Sequence, residues 1–353
     1  MLNAMQPSLL TVIAALMLAV RVLPAAAADG RGAVQAACFP AQSLAARPDE
    51  KLPVKLGRAQ AVKVPRWQPS ADAPLNILRG SIRRVDLPKG KKLIALTFDL
   101  CEQWSEVAGY DGAIVDYLRA NKIKATFFGG GKWMATHGER TQQLMSDDLF
   151  EIGTHGWAHR NVRGLTGADL TRELMTPSAA FQDQRQALAT NQCAVAQQAA
   201  MQSIPHQPSL YRFPFGACNP SALDAVAANG LLAIQWDVST GDPAPNQSAR
   251  AIADTMIRHT RPGSIILAHA NGRGFHTADA LPLAIPALRA KGYQFVTVSE
   301  LLAAGQPVLT ETCYDEKPGD SDKYDALFAP RARLPAMSPG ATPGAQLRPA
   351  LQP

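Results

Sequence analysis

Short apolar segments alternate with amphipathic segments between residues 89 and 306, and this alternation constrains the fold more than any other feature of the chain. The segment KKLIALTFD is typical of a strand buried on both faces. The next segment, DGAIVDYLRANK, places Ile114, Val115 and Leu118 on one face of a helix. The alternation predicts a parallel α/β architecture in the form of a barrel.

The predicted strands end in ionisable side chains. The seven strands are KKLIALTFD, IKATFFGG, LFEIGTH, SLYRFPFG, LLAIQWDVS, GSIILAHA and YQFVTVS. In a parallel barrel the C-terminal ends of the strands meet at one rim, where chemistry collects. The ionisable residues at these ends are Asp99, His155, Arg212, Asp237, Asp242 and His269. This set is typical of a metal-assisted hydrolase, although Asp237 could equally cap a turn.

The segment GTHGWAHRN holds two histidines, His155 and His159, four residues apart. In a turn, or in the first turn of a helix, this spacing puts both imidazoles on one face, where they can chelate one metal ion. Paired histidines are also common on surfaces. Their position after a buried strand, on the rim that carries Asp99, favours a metal site.

Five short motifs lie in a characteristic order along the same region. They are TFD (97–99), HGWAH (155–159), RFPFG (212–216), WDVSTGD (236–242) and LAH (267–269). Each is weak alone, but in this order they resemble the polysaccharide deacetylases of carbohydrate esterase family 4. The resemblance implies a distorted (β/α)7 barrel that hydrolyses N-acetyl or O-acetyl groups on a polysaccharide or peptidoglycan sugar. It also implies one divalent metal, for which we expect zinc, bound by the two histidines of the second motif.

The resemblance also implies acid and base roles. Asp99 is expected to act as general base, held ionised and oriented by an ion pair with Arg212. His269 is expected to protonate the leaving group. Asp242 is expected to fix the tautomer of that imidazole and to raise its pKa.

Three further residues are expected to contact the substrate. The backbone N–H of Phe215 would face the oxyanion that develops during acyl transfer. Leu267 and Trp236 would form the wall of the pocket for the acetyl methyl group, although Trp236 could equally be a core residue.

The first motif departs from the family at one position. The family usually has two adjacent aspartates, the first a base and the second a metal ligand, but here the second position is Leu100. Glu102 can replace it as an oxygen ligand, Cys101 can replace it as a thiolate, or Asp99 can bind the metal directly. We expect a disulfide between Cys101 and Cys218, which leaves Glu102 as the third ligand.

The N-terminal segment and the cysteines predict export. An apolar run of signal-peptide length is followed by three alanines, so we expect a signal peptide over residues 1–28 and a periplasmic or extracellular location. Five cysteines in an exported chain predict disulfides. Cys38 and Cys313 flank the predicted domain and could join its ends, and Cys193 is the candidate free thiol.

The predicted domain organisation follows from composition. An N-terminal extension (29–88) precedes the predicted deacetylase domain (89–306), and a C-terminal extension (307–328) is expected to pack on that domain. The Pro- and Ala-rich tail (329–353) is expected to be disordered.

Composition also bears on partners. The formal net charge is +6, but there is no basic block with interleaved aromatic residues, which argues against nucleic-acid binding. No transmembrane segment is expected after removal of the signal peptide. The competing hypothesis is a catalytically inactive carbohydrate-binding protein on the same scaffold, for which Leu100 is the best argument.

Overall fold

The computed structural model describes residues 30–56, 62–67 and 78–328 of the 353-residue chain. The predicted signal peptide and the predicted disordered tail lie outside the described residues. Among the described helices, none is both long and apolar enough to cross a membrane.

A single curled sheet carries most of the strands in the described residues. The strands are β1 Val54–Lys55, β2 Ser81–Asp86, β3 Leu93–Leu100, β4 Glu106–Val107, β5 Ala125–Gly129, β6 Phe150–Thr154, β7 Leu210–Tyr211, β8 Leu232–Ile234, β9 Val238–Ser239, β10 Ile265–His269, β11 Gln294–Val296 and β12 Gln306–Thr310. Their order in this sheet is β12-β2-β8-β7-β6-β5-β3-β10-β9, and β11 pairs with the first half of β3. Every pair in this sheet is parallel except β12 with β2, and β1 and β4 form a separate antiparallel pair. The predicted fold class, a distorted barrel of parallel β/α units, is confirmed.

Helices cover the outside of this sheet. They are α1 Gly32–Cys38, α2 Ala41–Leu44, α3 Gly112–Ala120, α4 Gly131–Thr136, α5 Gly138–Met145, α6 Gly167–Ala189, α7 Gln192–Val195, α8 Gln198–Gln202, α9 Pro220–Ala228, α10 Ala249–His259, α11 Thr277–Ala290, α12 Val298–Ala303 and α13 Lys323–Phe328. Three short 3₁₀ helices lie at Pro48–Glu50, Val162–Gly164 and Pro214–Gly216. The apolar core lies between the sheet and these helices, where Phe98 of β3 stacks on Phe127 of β5, and Phe127 contacts Phe150 of β6 edge to face.

Strand β3 is an interior strand of the sheet and is buried along both faces. Seven of its eight residues are buried, as expected for a strand covered on both sides. It pairs with β5 on one side, and with β10 and β11 on the other. The register places Asp99 of β3 directly beside His269 of β10, so both side chains belong to the same rim.

The fourth motif closes the barrel. The sequence predicted a barrel but not that this segment would close it. The segment predicted as one strand, LLAIQWDVS, forms two strands, β8 and β9, in different parts of the sheet. Between them, the N–H of Gln235 donates to the carbonyl oxygen of Ile82 (2.7 Å), and the N–H of Asp237 donates to that of Ile265 (3.2 Å). The chain therefore bridges β2 and β10, which are not neighbours in the sheet.

The sheet also includes strands from outside the predicted domain. Strand β2 precedes residue 89, and β12 begins at residue 306 and runs antiparallel to β2. After β12, Arg83 donates to the carbonyl oxygens of Tyr314 (2.6 Å) and Asp315 (2.7 Å) and lies over the ring of Tyr314. These contacts hold the segment after β12 against the sheet, close to the rim that carries Asp99 and His269.

The disulfide pattern differs from the predicted one. Cys38 pairs with Cys193, and Cys218 pairs with Cys313, so the predicted Cys101–Cys218 disulfide is wrong, as are the link between Cys38 and Cys313 and the free thiol at Cys193. Cys101 is the free thiol, and it is buried. The physical reason is side-chain direction, because Cys101 faces a cavity at the rim whereas Cys218 packs with Cys313 in an apolar cluster.

We predict that the Cys218–Cys313 disulfide fastens the C-terminal extension to the barrel. The double variant Cys218→Ser, Cys313→Ser should lose about 2–5 kcal/mol of unfolding free energy, because the disulfide constrains a long loop in the unfolded chain. The two residues are 95 positions apart. Urea unfolding followed by circular dichroism measures the loss.

Non-reducing peptide mapping checks the same pairing. Alkylation before reduction should label Cys101 alone, and a peptide that joins Cys101 to Cys218 would contradict the structure.

Candidate active site

The residues of the five motifs converge on one cavity of about 390 Å³ at the C-terminal ends of the strands. The predicted residues that line it are Asp99, His159, Phe215, Trp236, Asp242, Leu267 and His269. Two others, His155 and Arg212, are buried and contact these lining residues. Glu102 has no place in the lining.

A fully buried ion pair holds the base candidate. Arg212 donates from Nη1 to Oδ1 of Asp99 and to Oγ1 of Thr97, both at 2.8 Å. Its guanidinium also donates to the backbone carbonyls of Ile234 and Gln235 and lies 3.9 Å from the centre of the Phe128 ring. Burial lowers the pKa of Arg212, and the ion pair with the Asp99 carboxylate opposes that shift. These contacts fix the orientation of the Asp99 carboxylate.

The two histidines of the second motif each have a ring nitrogen without a conventional partner. The Nδ1 of His155 lies 3.0 Å from the carbonyl oxygen of Arg212, which leaves its Nε2 buried and unpartnered, 3.5 Å from Oδ2 of Asp99. Nδ1 of His159 is also buried without a hydrogen-bond partner. His159 has a left-handed backbone (φ 54°), and its ring packs 4.3 Å from that of Phe215. Unpartnered buried nitrogens are what a metal site requires of its ligands before the ion binds.

The free thiol Cys101 lies beside these histidines. Its Sγ and one ring nitrogen each of His155 and His159 lie within 4.8 Å of one another. Burial alone would raise the pKa of the thiol, but His159 and His155 hold that pKa well below its usual value. The residues present therefore fit a divalent metal, with two imidazoles and a thiol as the available donors.

Glu102 is directed away from this cluster, so its prediction as the third metal ligand is wrong. Its carboxylate is fully buried, 2.6 Å from Nζ of Lys132. The second oxygen accepts hydrogen bonds from the N–H of Ala108 and the hydroxyl of Thr136, both at 2.9 Å. Because both oxygens already have partners, Glu102 instead anchors the loop after β3.

The acid candidate is an imidazole held by a carboxylate. Oδ1 of Asp242 lies 2.9 Å from Nδ1 of His269, and Oδ2 accepts from the backbone N–H of His269 (2.7 Å) and the hydroxyl of Thr277 (2.6 Å). Burial would lower the pKa of His269, but the Asp242 carboxylate outweighs this and holds that pKa well above its usual value. The arrangement favours a protonated imidazole at the cavity.

The third motif forms a strained turn against the cavity. Phe215 has a left-handed backbone (φ 62°, ψ 9°), and so does Gly216 (φ 59°). Such a conformation costs a residue with a Cβ about 1–3 kcal/mol and persists only where the surrounding structure requires it. A Cβ at Gly216 would lie 3.0 Å from the ring of Trp236, so glycine also allows this close approach.

The Trp236 side of the cavity wall is held by Asp315, a residue that the sequence motifs do not include. Trp236 is almost fully buried, and its Nε1 donates to Oδ1 of Asp315 (3.0 Å). Asp315 and Tyr324 line the cavity from the C-terminal extension. No pattern along the chain signals these two residues, because only the packing of the extension brings them to the rim.

Asp237 is structural, as the alternative interpretation predicted. Its carboxylate accepts from the N–H of Ile265 (3.0 Å) and the hydroxyl of Ser264 (3.1 Å), and it does not line the main cavity. Burial raises its pKa.

Comparisons with known proteins agree with this architecture. Residues 86–234 match the sequence profile of the polysaccharide deacetylase family. Over 255 residues the chain is 28% identical to a peptidoglycan-N-acetylglucosamine deacetylase of Listeria monocytogenes, which covers 71% of this chain and 48% of that protein. It is 26% identical over 220 residues to a peptidoglycan-N-acetylglucosamine deacetylase of Bacillus cereus, which covers 62% of this chain and 91% of that protein. The chain thus spans about half the length of the Listeria relative.

Two solved structures share the fold. The crystal structure of a peptidoglycan N-acetylglucosamine deacetylase superposes with a TM-score of 0.53 at 23% identity, over 65% of this chain and 96% of that one. A pseudoenzyme of carbohydrate esterase family 4 from Bacillus anthracis superposes with a TM-score of 0.52 at 22% identity, over 66% and 72%. At this identity the likeness concerns the fold alone, and it includes both an enzyme and a pseudoenzyme. Taken together, residues 86–234 of this chain match the polysaccharide deacetylase family, and the described structure has the fold of that family.

Proposed function

We propose that this protein is an exported, metal-dependent deacetylase that hydrolyses N-acetyl or O-acetyl groups on a polysaccharide or peptidoglycan sugar. One observation carries the proposal: a carboxylate held by a buried arginine and an imidazole held by a buried carboxylate meet across one cavity. These are the base and the acid that amide or ester hydrolysis needs. The pairs are Asp99 with Arg212 and His269 with Asp242.

The metal would be held by His155 and His159, and we propose zinc because imidazole is among its preferred ligands. When bound, a divalent ion supplies a Lewis acid for the acetyl carbonyl. A hydrogen bond between Nδ1 of His155 and the backbone carbonyl oxygen of Arg212 would fix the ring with Nε2 toward the cavity.

The chain's own residues then divide the proton transfers between them. Asp99 accepts a proton from the attacking water, and Arg212 holds the Asp99 carboxylate oriented for this step. His269 donates a proton to the departing amine or alkoxide, and Asp242 stabilises the imidazolium beforehand. Each transfer is typically worth about 10²–10⁴-fold in rate.

The remaining cavity residues position the acetyl group. The N–H of Phe215 would donate to the oxyanion that replaces the carbonyl, and a donor of this kind is often worth about 3–4 kcal/mol. Leu267 and Trp236 supply the apolar wall for the methyl group. Asp315 orients the Trp236 ring through its hydrogen bond to Nε1.

An N-acetylated cell-wall sugar is the first substrate to test, because the Listeria and Bacillus cereus relatives carry that activity in their names. Export agrees with the two disulfides, which form and persist in oxidising compartments.

The alternative is a catalytically inactive carbohydrate-binding protein on the same scaffold. Leu100 favours it, since the family usually has a metal-binding aspartate at that position. Acetate release from acetylated chitin oligomers, acetylated xylan and peptidoglycan decides between the two. Release from none of these by the metal-loaded protein would support the inactive protein.

The variant Asp99→Asn should keep the metal and lose about 10²–10⁴-fold in turnover, because the proton of the attacking water then has no acceptor. Elemental analysis and acetate release measure the two quantities on the same sample. The matched control is Asp169→Asn, an exposed carboxylate paired with Arg172 on α6, which should change neither. Loss of the metal from Asp99→Asn would assign this residue to the ion instead.

The alkaline limit of activity should depend on Asp242. His269 acts as an acid only while protonated, so activity falls as pH rises through its raised pKa. Asp242→Asn removes the charge that raises this pKa, so the alkaline limb of kcat should move to lower pH. Asp237→Asn, a change at a half-buried carboxylate whose partners are Arg261, Ser264 and Ile265, should leave the limb in place. An unchanged limb in Asp242→Asn would refute the acid role of His269.

A second groove extends the catalytic cavity and predicts a preference for sugar chains. It is lined by Gln103, Trp104 and Arg160 among others, and it shares Gln103 and His159 with the catalytic cavity. Trp104 is 41% exposed, and its ring lies 6.4 Å from that of Trp157. An exposed indole supported in this way is suited to stacking on a pyranose ring.

The variant Trp104→Ala should therefore reduce kcat/KM on a tetramer by about two- to tenfold, in keeping with the roughly 0.5–1.5 kcal/mol that one ring contact contributes. The rate on a monomeric acetylated sugar should stay the same. Leu283→Ala, an exposed residue of α11 that lines neither cavity, is the control. An equal loss on monomer and tetramer would argue against a sugar subsite at Trp104.

A further inference from the structure

The loop after β3 places a thiol, that of Cys101, beside the two histidines of the second motif. Alternation along the strand directs Leu100 into the apolar core, whereas Asp99 and Cys101 both face the cavity. A carboxylate at position 100 would therefore point into the core here. The side chain that reaches the two histidines is that of Cys101.

We propose that Cys101 is the third metal ligand, so that the centre is formed by one thiolate and two imidazoles. This inference rests on the proposed function only in taking the metal to be the one that serves deacetylation. The ligand atoms of Cys101, His155 and His159 lie within 4.8 Å of one another. One nitrogen in each imidazole is buried and has no hydrogen-bond partner.

A second possible group, formed by Asp99, Cys101 and His269, overlaps the first. Its other two members already have charged partners, because Arg212 donates to Asp99 and Asp242 pairs with Nδ1 of His269. His155, by contrast, directs its Nδ1 at a backbone carbonyl, the arrangement that usually accompanies coordination through Nε2. The two-histidine group is therefore the better metal site, and Asp99 stays available as the base.

The loop is built to hold the thiol in place. The carbonyl oxygen of Cys101 accepts from Nδ2 of Asn271 (2.8 Å), and that of Leu100 accepts from the N–H of Gly130 (3.0 Å). On the other side, Glu102 is fixed by its buried ion pair with Lys132. Anchors on both sides of Cys101 favour a pre-organised ligand over an incidental buried cysteine.

Replacing a carboxylate ligand by the Cys101 thiolate keeps the charge of the metal site but exchanges a hard oxygen ligand for a soft sulfur ligand. A thiolate with two neutral imidazoles has the same charge as a carboxylate with two imidazoles. Sulfur favours zinc and cobalt over the oxygen-preferring ions magnesium and manganese. Metal binding releases the thiol proton to solvent, so the ligand set is complete only in the deprotonated state.

Cobalt(II) spectroscopy on the full chain tests this directly. Metal-free protein titrated with cobalt(II) should develop a near-ultraviolet sulfur-to-cobalt charge-transfer band at one ion per chain, and a thiol reagent should lose access to Cys101 as zinc binds. In Cys101→Ser the band should disappear, and zinc affinity should fall by at least about 10–100-fold, the loss typical of disturbing even a supporting group. Cys101→Asp should bind the ion without the band. His206→Ala, an exposed histidine, should behave as the unmodified protein.

A cobalt complex without the charge-transfer band in the unmodified protein would overturn the proposal, as would unchanged zinc affinity in Cys101→Ser. If the serine variant fails to fold, the spectrum of the unmodified protein and the aspartate variant still decide. Acetate release from the same samples separates the two proposals. Acetate release without the charge-transfer band would support the deacetylase proposal and contradict the thiolate ligand. A band without acetate release would support the thiolate ligand and contradict the deacetylase proposal.

Discussion

The buried guanidinium of Arg212 is the contact on which the rest of the rim depends. It donates hydrogen bonds to Asp99 of β3 and to two carbonyl oxygens around the end of β8. The backbone carbonyl oxygen of Arg212 lies within hydrogen-bond distance of Nδ1 of His155. Removing one partner of such a pair typically costs about 3–5 kcal/mol, because the other charge is left buried and alone. One residue thus couples Asp99, His155 and the closing segment of the barrel.

The fourth motif, WDVSTGD (236–242), both closes the barrel and supplies Asp242, the partner of His269. The chain leaves β8, bonds to β2 at Gln235 and to β10 at Asp237, and reaches Asp242 beside His269. A sheet whose edges are joined in this way leaves the strand ends close together around one cavity. The C-terminal extension then covers part of that cavity, with Asp315 held by contacts from Arg83 and by the disulfide at Cys313.

The loop after β3 explains how a departure from the family motif need not abolish a metal site. Leu100 contributes to the core, and its neighbours point in different directions. Cys101 faces the histidines, whereas Glu102 is paired with Lys132. A thiolate and a carboxylate carry the same charge, so the electrostatic demand of the site can be met by the neighbouring residue. This is why the active and inactive hypotheses have to be separated by metal binding as well as by turnover.

Much of this protein was determined by the sequence itself. The period of apolar residues indicated the strands, and the ionisable residues after them indicated the rim, because the ends of parallel strands meet at one edge. The disulfide partners, the position of Cys101 rather than Glu102 beside the two histidines, and the contact of Asp315 with Trp236 were decided only by the tertiary structure. Each depends on the direction a side chain takes after a strand ends, or on the distance between segments far apart in the chain. A short stretch of sequence predicts neither the side-chain direction nor this distance, because both depend on how the whole barrel packs.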